Sequence, residues 1–292
     1  LTGPIAGRPF LSFRSRLIAT PDARFIIGLN TPANNSTVVF VYEVASGTVL
    51  RVRQTPGLST VLSVSPDGSR FMAGLRLFET STLNLLAQST LANAPFTLPN
   101  AGNFNLNQNV GGSVFTPDGN ALYGAFNVAP FVVNPPPRPN AATLLLYNPR
   151  NLGINMGINL PESILGRMVA TADGKTVYAL SETGILMLPI GRLYEYPILQ
   201  PETTAVRLSI NPCDRGLVSA EVKILNGGRG RLTYTFDQPG NNILAQVTSG
   251  LAPSSIRISM NPRVTNRQPG TTVTALTLRS VDAINIPPAI RV

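Results

Sequence analysis

A short turn sequence recurs four times in this chain of 292 residues and constrains its fold more than any other feature. The clearest copy is VSPDGSRFMAG at residues 64–74, in which Pro-Asp-Gly separates apolar residues from an alternating strand. Proline presets φ in such a turn, aspartate bonds the nearby backbone, and glycine accepts a positive φ. The pattern therefore predicts a β-hairpin at each copy.

The other copies are ATPDARF at 19–25, FTPDGNALY at 115–123 and ATADGKTVY at 170–178. The first has Ala23 in place of glycine, and the fourth has Ala172 in place of proline. The turn aspartates stand at positions 22, 67, 118 and 173, so successive copies lie 45, 51 and 55 residues apart. A period in this range indicates a repeat array.

We predict that the recurring turn residues are structural and are not ligands of a metal. Each aspartate stands where it stabilises a turn, and successive copies fall on different repeats, which disfavours a shared calcium site. The residues given this turn role are Asp22, Asp67, Gly68, Asp118, Gly119, Asp173 and Gly174.

A second pattern follows each of the first three hairpins: an aliphatic and an aromatic residue, a polar residue and then a tight turn. It occurs at residues 41–49, 77–85 and 146–154. With the hairpin it predicts four strands in each unit, which describes one blade of a β-propeller. Residues 1–200 are thus predicted to be all-β, with four recognisable blades. The fourth blade is predicted to end with a strand at 193–199.

The pattern changes near residue 200, after which no Pro-Asp-Gly hairpin occurs. Seven short strands separated by turns are predicted in residues 201–292, the first of them at 206–210. This spacing favours an immunoglobulin-like β-sandwich as a second domain.

Composition excludes several kinds of chemistry. The chain has no histidine, which removes the commonest metal ligand and general base, and its one cysteine excludes an internal disulfide and a cysteine-based metal cluster. No nucleophile elbow or phosphate loop occurs. The prediction is therefore that there is no catalytic residue, no metal site and no cofactor.

The net charge is +9, from 23 basic and 14 acidic residues, but the basic residues are scattered and form no run. Isolated arginines on a solvated surface are expected, with no specific nucleic-acid partner; weak affinity for anionic glycans stays open. No run of about 18 apolar residues occurs, so no transmembrane segment is predicted. The chain opens at Leu1 without a leader, and we expect any signal peptide to have been removed before it.

Two long loops are candidate contact surfaces. The loop at 91–111 is rich in asparagine, including Asn103, Asn105 and Asn107. The stretch at 130–140 is rich in proline, so it is predicted to leave its blade as a stiff loop that carries Phe131 and Arg138. Long polar loops in compact domains either bind a partner or are tolerated insertions, and both interpretations remain open.

The hairpin and the later aromatic strand resemble the YVTN-type β-propeller repeat of bacterial and archaeal surface and exported proteins, over about residues 15–199. Residues 247–259, 268–271 and 276–280 resemble the BACON-type immunoglobulin-like modules of bacterial extracellular proteins, over about residues 205–292. The usual aromatic before the Ser-Gly turn of that family is replaced here by the segment 245–247, AQV. The resemblance implies fold and an extracellular or cell-surface location, and it implies no ligand residues.

Two functions follow as expectations. The first is an exported, non-catalytic binding or structural protein with a protein or glycan partner, in which the propeller is an interaction platform and the sandwich a spacer or docking module. A homo-oligomer or filament is expected here, because four blades is the lower limit for closure and further blades would lie in sequence beyond this segment or in another chain. The alternative is an enzyme or redox-cofactor protein with a histidine-free site in the central channel.

Overall fold

A computed structural model describes residues 15–30, 36–56, 58, 61–89, 111–128, 141–181, 183–211, 213, 216–237, 243–245, 248–262 and 270–292. All structural statements below refer to this part of the chain. It forms two compact units that divide between Gly191 and Arg192, so the division lies before the boundary predicted at residue 200.

The first unit begins with two antiparallel sheets of four strands, in each of which the strands follow chain order. The first sheet contains β1 (Ser15–Ala19), β2 (Phe25–Asn30), β3 (Ser36–Glu43) and β4 (Thr48–Pro56). The second contains β5 (Leu62–Val64), β6 (Arg70–Ala73), β7 (Arg76–Glu79) and β8 (Leu85–Gln88).

Two further sheets belong to this unit. The third contains β9 (Gly112–Phe115), β10 (Leu122–Val128), β11 (Ala141–Tyr147) and β12 (Ile154–Asn159). The fourth has three strands, β13 (Ile164–Ala170), β14 (Val177–Ser181) and β15 (Ile185–Leu188).

The four sheets are arranged as consecutive propeller blades. The first strand of each sheet contacts the first strand of the next, so that β1 meets β5, β5 meets β9 and β9 meets β13. These inner strands follow one another in chain order, and each sheet extends outward from its inner strand as a meander. The predicted all-β fold with propeller blades is confirmed at this level.

The middle blades are buried on both faces. In β6, Phe71 belongs to a core shared with Ile27 and Val41 of the first blade, while the next residue, Met72, points to the other side of the sheet and is also fully buried. A strand that is apolar on both faces is expected when neighbouring sheets cover both of them.

The fourth strand predicted for the fourth blade, at 193–199, is wrong. Residues Ile190–Glu195 form a 3-10 helix, and the strand that follows, β16 (Leu199–Pro201), pairs with a strand of the second unit. Its place is fixed there because Leu199 is fully buried in that unit's core and its N–H donates to Asn285 Oδ1 at 2.9 Å. Tertiary contacts therefore override the local apolar pattern.

In the second unit the strands after β16 are β17 (Val218–Asn226), β18 (Leu232–Asp237), β19 (Ile243–Ala245), β20 (Ser249–Ala252), β21 (Ser254–Met260), β22 (Ala275–Arg279) and β23 (Ile290–Arg291). They form two antiparallel sheets of four strands, with orders β16-β17-β21-β19 and β20-β18-β22-β23. Both sheets contribute to one apolar core, in which Val222 and Ile258 come from the first and Tyr234 and Leu278 from the second.

The strand predicted at 206–210 does not form. Ala205 makes a single parallel bridge to Arg291, and the N–H of Val206 donates to the Arg291 carbonyl, but no ladder continues from there. Val206 and Leu208 instead lie partly buried against the core. The alternating pattern of this segment reflects that apolar contact and not strand pairing.

Candidate functional site

Each hairpin turn of the first unit is held by a hydroxyl and a carboxylate. In the third turn, Thr116 Oγ1 donates to Asp118 Oδ1 at 2.6 Å and accepts a hydrogen bond from the N–H of Ala121 at 3.0 Å. Asp118 Oδ1 also accepts from the N–H of Asn120 at 3.1 Å. The hydroxyl donates to the carboxylate at 2.5 to 2.6 Å in the other turns too, from Thr20 to Asp22, Ser65 to Asp67 and Thr171 to Asp173.

Through these bonds each turn aspartate is hydrogen-bonded to groups of its own turn. The hydroxyl of Thr116 and the amide of Asn120 lower the pKa of Asp118 below its ordinary value of 3.8, because both donate to the charged carboxylate. Asp22, Asp67 and Asp173 have lowered pKa values for the same reason, with the turn hydroxyl as the chief cause. A carboxylate of this kind stays ionised and is a poor general base near neutral pH.

Consecutive turns contact one another. A Cβ built on Gly68 would lie 3.7 Å from Cδ of Pro21, one on Gly119 would lie 3.8 Å from Cδ of Pro66, and one on Gly174 would lie 3.5 Å from Cδ of Pro117. The glycine of each turn therefore lies against the proline of the preceding turn. These three glycines all have positive φ, between 67° and 71°.

The two departures from the repeat fall at opposite ends of this series of turns. Ala23, in the first turn, stands where the later turns have glycine, and it keeps a positive φ of 56°. Ala172, in the fourth turn, stands where the earlier turns have proline. Among the described residues, no turn precedes the first one to place a proline near Ala23, and no turn follows the fourth one to place a glycine near Ala172.

The inner strands carry polar groups toward their neighbours. Ser113 Oγ of β9 donates to Ser63 Oγ of β5 at 2.7 Å, and both side chains are buried. Arg16 of β1 extends to β13, where a Cβ built on Gly166 would lie 2.6 Å from its Nη2. No aspartate, glutamate or tyrosine lies on the described inner strands β1, β5, β9 and β13.

Arginines also link the outer parts of adjacent blades. Arg53 of β4 donates to the Leu83 carbonyl at 3.0 Å and lies 5.9 Å from the ring centroid of Phe78, both in the second blade. Arg70 donates to the carbonyl of Pro149, after β11, at 3.5 Å. Some of the positive charge of the chain therefore joins blades, whereas the sequence predicted only isolated surface arginines.

The exposure of the side chain at one repeat position shows how far each blade is covered by the next. It lies six residues after the turn proline, or after Ala172 in the fourth turn. At this position Ile27 and Met72 are fully buried and Tyr123 is 5% exposed, but Tyr178 is 44% exposed. Ile27 is buried against Phe71 and Phe78 of the second blade, so we call this side of each sheet its forward face.

The forward face of the fourth blade is uncovered and apolar, and we name it the open face. Val169, Tyr178 and Met187 form one cross-strand row on it, and Leu180 pairs with Ile185 in the next. Ile185 is 75% exposed. The open face consists of Leu165, Val169, Tyr178, Leu180, Ile185 and Met187, all of them exposed. Contiguous apolar surface of this kind marks interaction sites in soluble proteins.

The opposite side of the first blade, its back face, is also incompletely covered. It carries Leu17, which is 57% exposed, and the partly buried Ile26 and Tyr42. The residues that correspond to Ile26 in the later blades, Phe71, Leu122 and Val177, are all fully buried. On the same face Phe40 and Val38 are buried, so the first blade exposes part of a face that the later blades bury, and the fourth blade exposes its open face.

The predicted contact residues Asn103, Asn105, Asn107, Phe131 and Arg138 lie outside the described residues. Among the described residues, no group of three or more histidine, cysteine, aspartate or glutamate side chains could hold a metal ion. No helix in that part of the chain is long and apolar enough to cross a membrane.

The sequence did not identify the residues of the open face as an exposed surface. Val177, Tyr178, Ala179 and Leu180 are apolar in succession, so both faces of this strand are apolar, as in a blade that is covered on both sides. That pattern predicts burial of both faces and does not tell which one lacks a neighbour.

No protein-family model and no curated protein matches this chain. Two solved structures are similar to part of this chain. TolB from Acinetobacter baumannii is 17% identical with a TM-score of 0.38, and the match covers 74% of this chain and 53% of TolB. Dihydro-heme d1 dehydrogenase NirN in complex with DHE is 13% identical with a TM-score of 0.40, and the match covers 72% of this chain and 44% of NirN. The chain thus spans about half the length of either protein.

Proposed function

We propose that this protein is an exported or cell-surface, non-catalytic binding or structural protein whose propeller blades are the interaction platform. The YVTN-type resemblance of the first unit and the BACON-type resemblance of the second support this location. In this proposal the second unit is an immunoglobulin-like β-sandwich that acts as a spacer or docking module. Its two sheets around one shared core are consistent with that fold.

The open face carries the proposal. Six apolar side chains on three adjacent strands are uncovered there, and water contact with such a surface is unfavourable, at roughly 25 cal/mol per Å² of apolar area. A partner that covers it gains that free energy. The six side chains of the open face carry no hydrogen-bonding group except the hydroxyl of Tyr178, and the exposed Arg167 lies between Leu165 and Val169 on the same strand. This mainly apolar chemistry favours a protein sheet over a glycan.

The alternative of an enzyme or redox-cofactor protein would be favoured by carboxylates or tyrosines gathered on the inner strands. The described inner strands carry serine, arginine and apolar side chains instead. The ionised turn aspartates are held by their own turns. No described residue favours a reaction at the centre of the blades.

The proposed function is tested in intact cells that express the protein, with a photo-crosslinking amino acid in place of Ile185 of the open face. The matched control carries it in place of Val281, which is 97% exposed in the second unit. Protease added outside the cells is expected to digest the protein, and light is expected to give a product of defined mass from position 185 alone. Protection from the protease, or equal products from both positions, would overturn the proposal.

A further inference from the structure

We propose that the open face of the fourth blade is covered by the first blade of a second copy of this chain, so that copies join head to tail. This inference rests on the proposed role of the blades as an interaction platform, and it names the partner.

The open face is the same surface that forms each junction inside the chain. Ile27, Met72 and Tyr123 hold the position of Tyr178 in the earlier blades and are buried, Ile27 in one core cluster with Phe71 and Phe78 of the second blade. A surface that repeats the pattern of three blade junctions is shaped for a fourth blade-to-blade contact. The occupant that fits it is the back face of another four-stranded sheet.

This chain carries one such back face that is not fully covered, on its first blade. There Leu17 is 57% exposed, and Ile26 is partly buried where Phe71 and Leu122 are fully buried. The chain's own first blade does not cover its open face, since Ile185 and Met187 remain exposed. A second copy supplies the missing face without any further component.

The turns independently identify the first blade as the neighbour of the fourth. At the three junctions within the chain, a turn glycine lies against the proline of the preceding turn. A junction from the fourth blade to a first blade would bring Ala23 against Ala172, which are the two positions that depart from the repeat. Ala23 adds a methyl group, and Ala172 removes part of a proline ring, so the two changes offset each other in volume.

The contact of Arg16 with the fourth blade would be exchanged in the joined copies. Within one chain its guanidinium lies close to Gly166, so this side chain links β1 to β13. In the joined copies Arg16 of one chain meets Gly166 of the other, so an existing contact is exchanged between chains, as in domain swapping. A head-to-tail contact of this type closes a ring of two copies or continues as an open array.

The first experiment measures the mass of the full chain by size-exclusion chromatography with light scattering over a range of concentrations. A mass of two copies or more is expected. Ile185→Asp on the open face and Leu17→Asp on the back face of the first blade are each expected to weaken association about tenfold or more, because each buries a charge. Val281→Asp is the matched control and should associate normally.

A mixture of the two variants tests the head-to-tail direction. Ile185→Asp leaves the back face of the first blade intact, and Leu17→Asp leaves the open face intact. An equimolar mixture is therefore expected to form a one-to-one complex through one good junction, although neither variant associates alone. Undiminished self-association of Leu17→Asp would mean that open faces pair with each other, and it would overturn the proposal.

The final experiment distinguishes a second copy from closure within one chain. In a Cys213→Ser background, a chain with Ala23→Cys is mixed with a chain with Ala172→Cys and treated with a short thiol-to-thiol crosslinker. A crosslinked dimer is expected, and Ser46→Cys, at the β3–β4 turn, replaces Ala23→Cys as the control that should not crosslink. Circular dichroism checks that every variant keeps its β-sheet signal.

A monomer at all concentrations, with no crosslink, overturns this inference. If position 185 still crosslinks to a different molecule on intact cells, the proposed function stands while the second-copy partner falls. If it crosslinks to nothing in cells, both fail.

Discussion

Tyr123 and Tyr178 occupy the same position in consecutive blades, six residues after Pro117 and Ala172, but Tyr123 is 5% exposed and Tyr178 is 44% exposed. The same side chain in the same local structure is covered in one blade and bare in the next. Burial in this fold is therefore a property of the neighbouring sheet and not of the strand itself.

Replacing a turn aspartate is expected to destabilise its hairpin. Asp67 accepts hydrogen bonds from the Ser65 hydroxyl at 2.5 Å and from the N–H of Ser69 at 3.1 Å. Asp67→Ala should lower the free energy of unfolding by about 1 kcal/mol, a modest value because the carboxylate is largely solvated. Urea denaturation of the full chain measures the effect.

Asp67→Asn serves as the control for that experiment, because an amide oxygen still accepts both bonds. We expect it to retain more than half of the stability that Asp67→Ala loses. Equal losses in the two variants would show that charge, and not hydrogen bonding, holds the turn.

Because the pKa values of the turn aspartates are lowered, we expect the free energy of unfolding to decrease in acid. All four have pKa values below 3.8 in the folded chain, so the folded state binds protons less readily than the unfolded state. Their contribution is fully present above the unfolded value and is lost as the pH falls below 3.8 through the folded pKa values. Urea midpoints should therefore be level from pH 7 to 5 and decrease below pH 4.

Asp118→Asn removes one of these titrating groups and should show a shallower decrease below pH 4 than the parent chain. An identical acid dependence in the variant and the parent would contradict the assignment of this effect to the turns.

The turn positions with positive φ should respond to glycine and alanine in opposite ways. Gly119→Ala places a side chain in the left-handed region and is expected to cost about 1 kcal/mol, since its Cβ meets only ordinary contacts at Pro66. Ala23→Gly relieves that strain and should stabilise the chain by roughly 0.5 kcal/mol after the added backbone entropy of glycine. Thermal unfolding of both variants checks the signs.

Gly216→Ala is the matched control for the alanine substitution. The backbone of Gly216 does not lie in the left-handed region, and a Cβ there would meet no atom within 4 Å. Its unfolding temperature should remain near that of the parent, and a loss as large as that of Gly119→Ala would contradict the argument from φ.

Substitutions of the two buried serines that link the second and third blades should have strongly non-additive effects on the free energy of unfolding. Ser63→Ala or Ser113→Ala alone leaves a buried hydroxyl without the partner it has at 2.7 Å, and each should cost about 1 to 3 kcal/mol. The double variant removes both polar groups and should cost less than the sum of the single effects. A double-mutant cycle by urea denaturation measures the coupling, and additive losses would contradict a direct bond.

Much of the first unit was predictable because its information is local. The Ser/Thr–x–Asp turn fixes its own hydrogen bonds within five residues, as Thr116 does with Asp118 and Ala121. The strands on either side follow from alternation. The hairpins of all four blades therefore lie where the sequence places them.

The rest depends on contacts distant in sequence. The segment 193–199 reads as a strand of the fourth blade, but Asn285, 86 residues beyond Leu199, binds its backbone and draws it into the second unit. The link from Arg70 to Pro149 likewise spans 79 residues. No pattern within a repeat encodes such pairs, and the open face was not predictable for the same reason.

The contact between each turn glycine and the preceding proline gives the repeats a direction that bears on how such a chain can grow. A duplication of the second or third repeat would insert a unit with Pro66 and Gly68, or Pro117 and Gly119, and so join correctly on both sides. A duplication of the first or fourth repeat would place Ala23 or Ala172 at an internal joint. Lengthening of this gene by unequal recombination is therefore best tolerated in its middle.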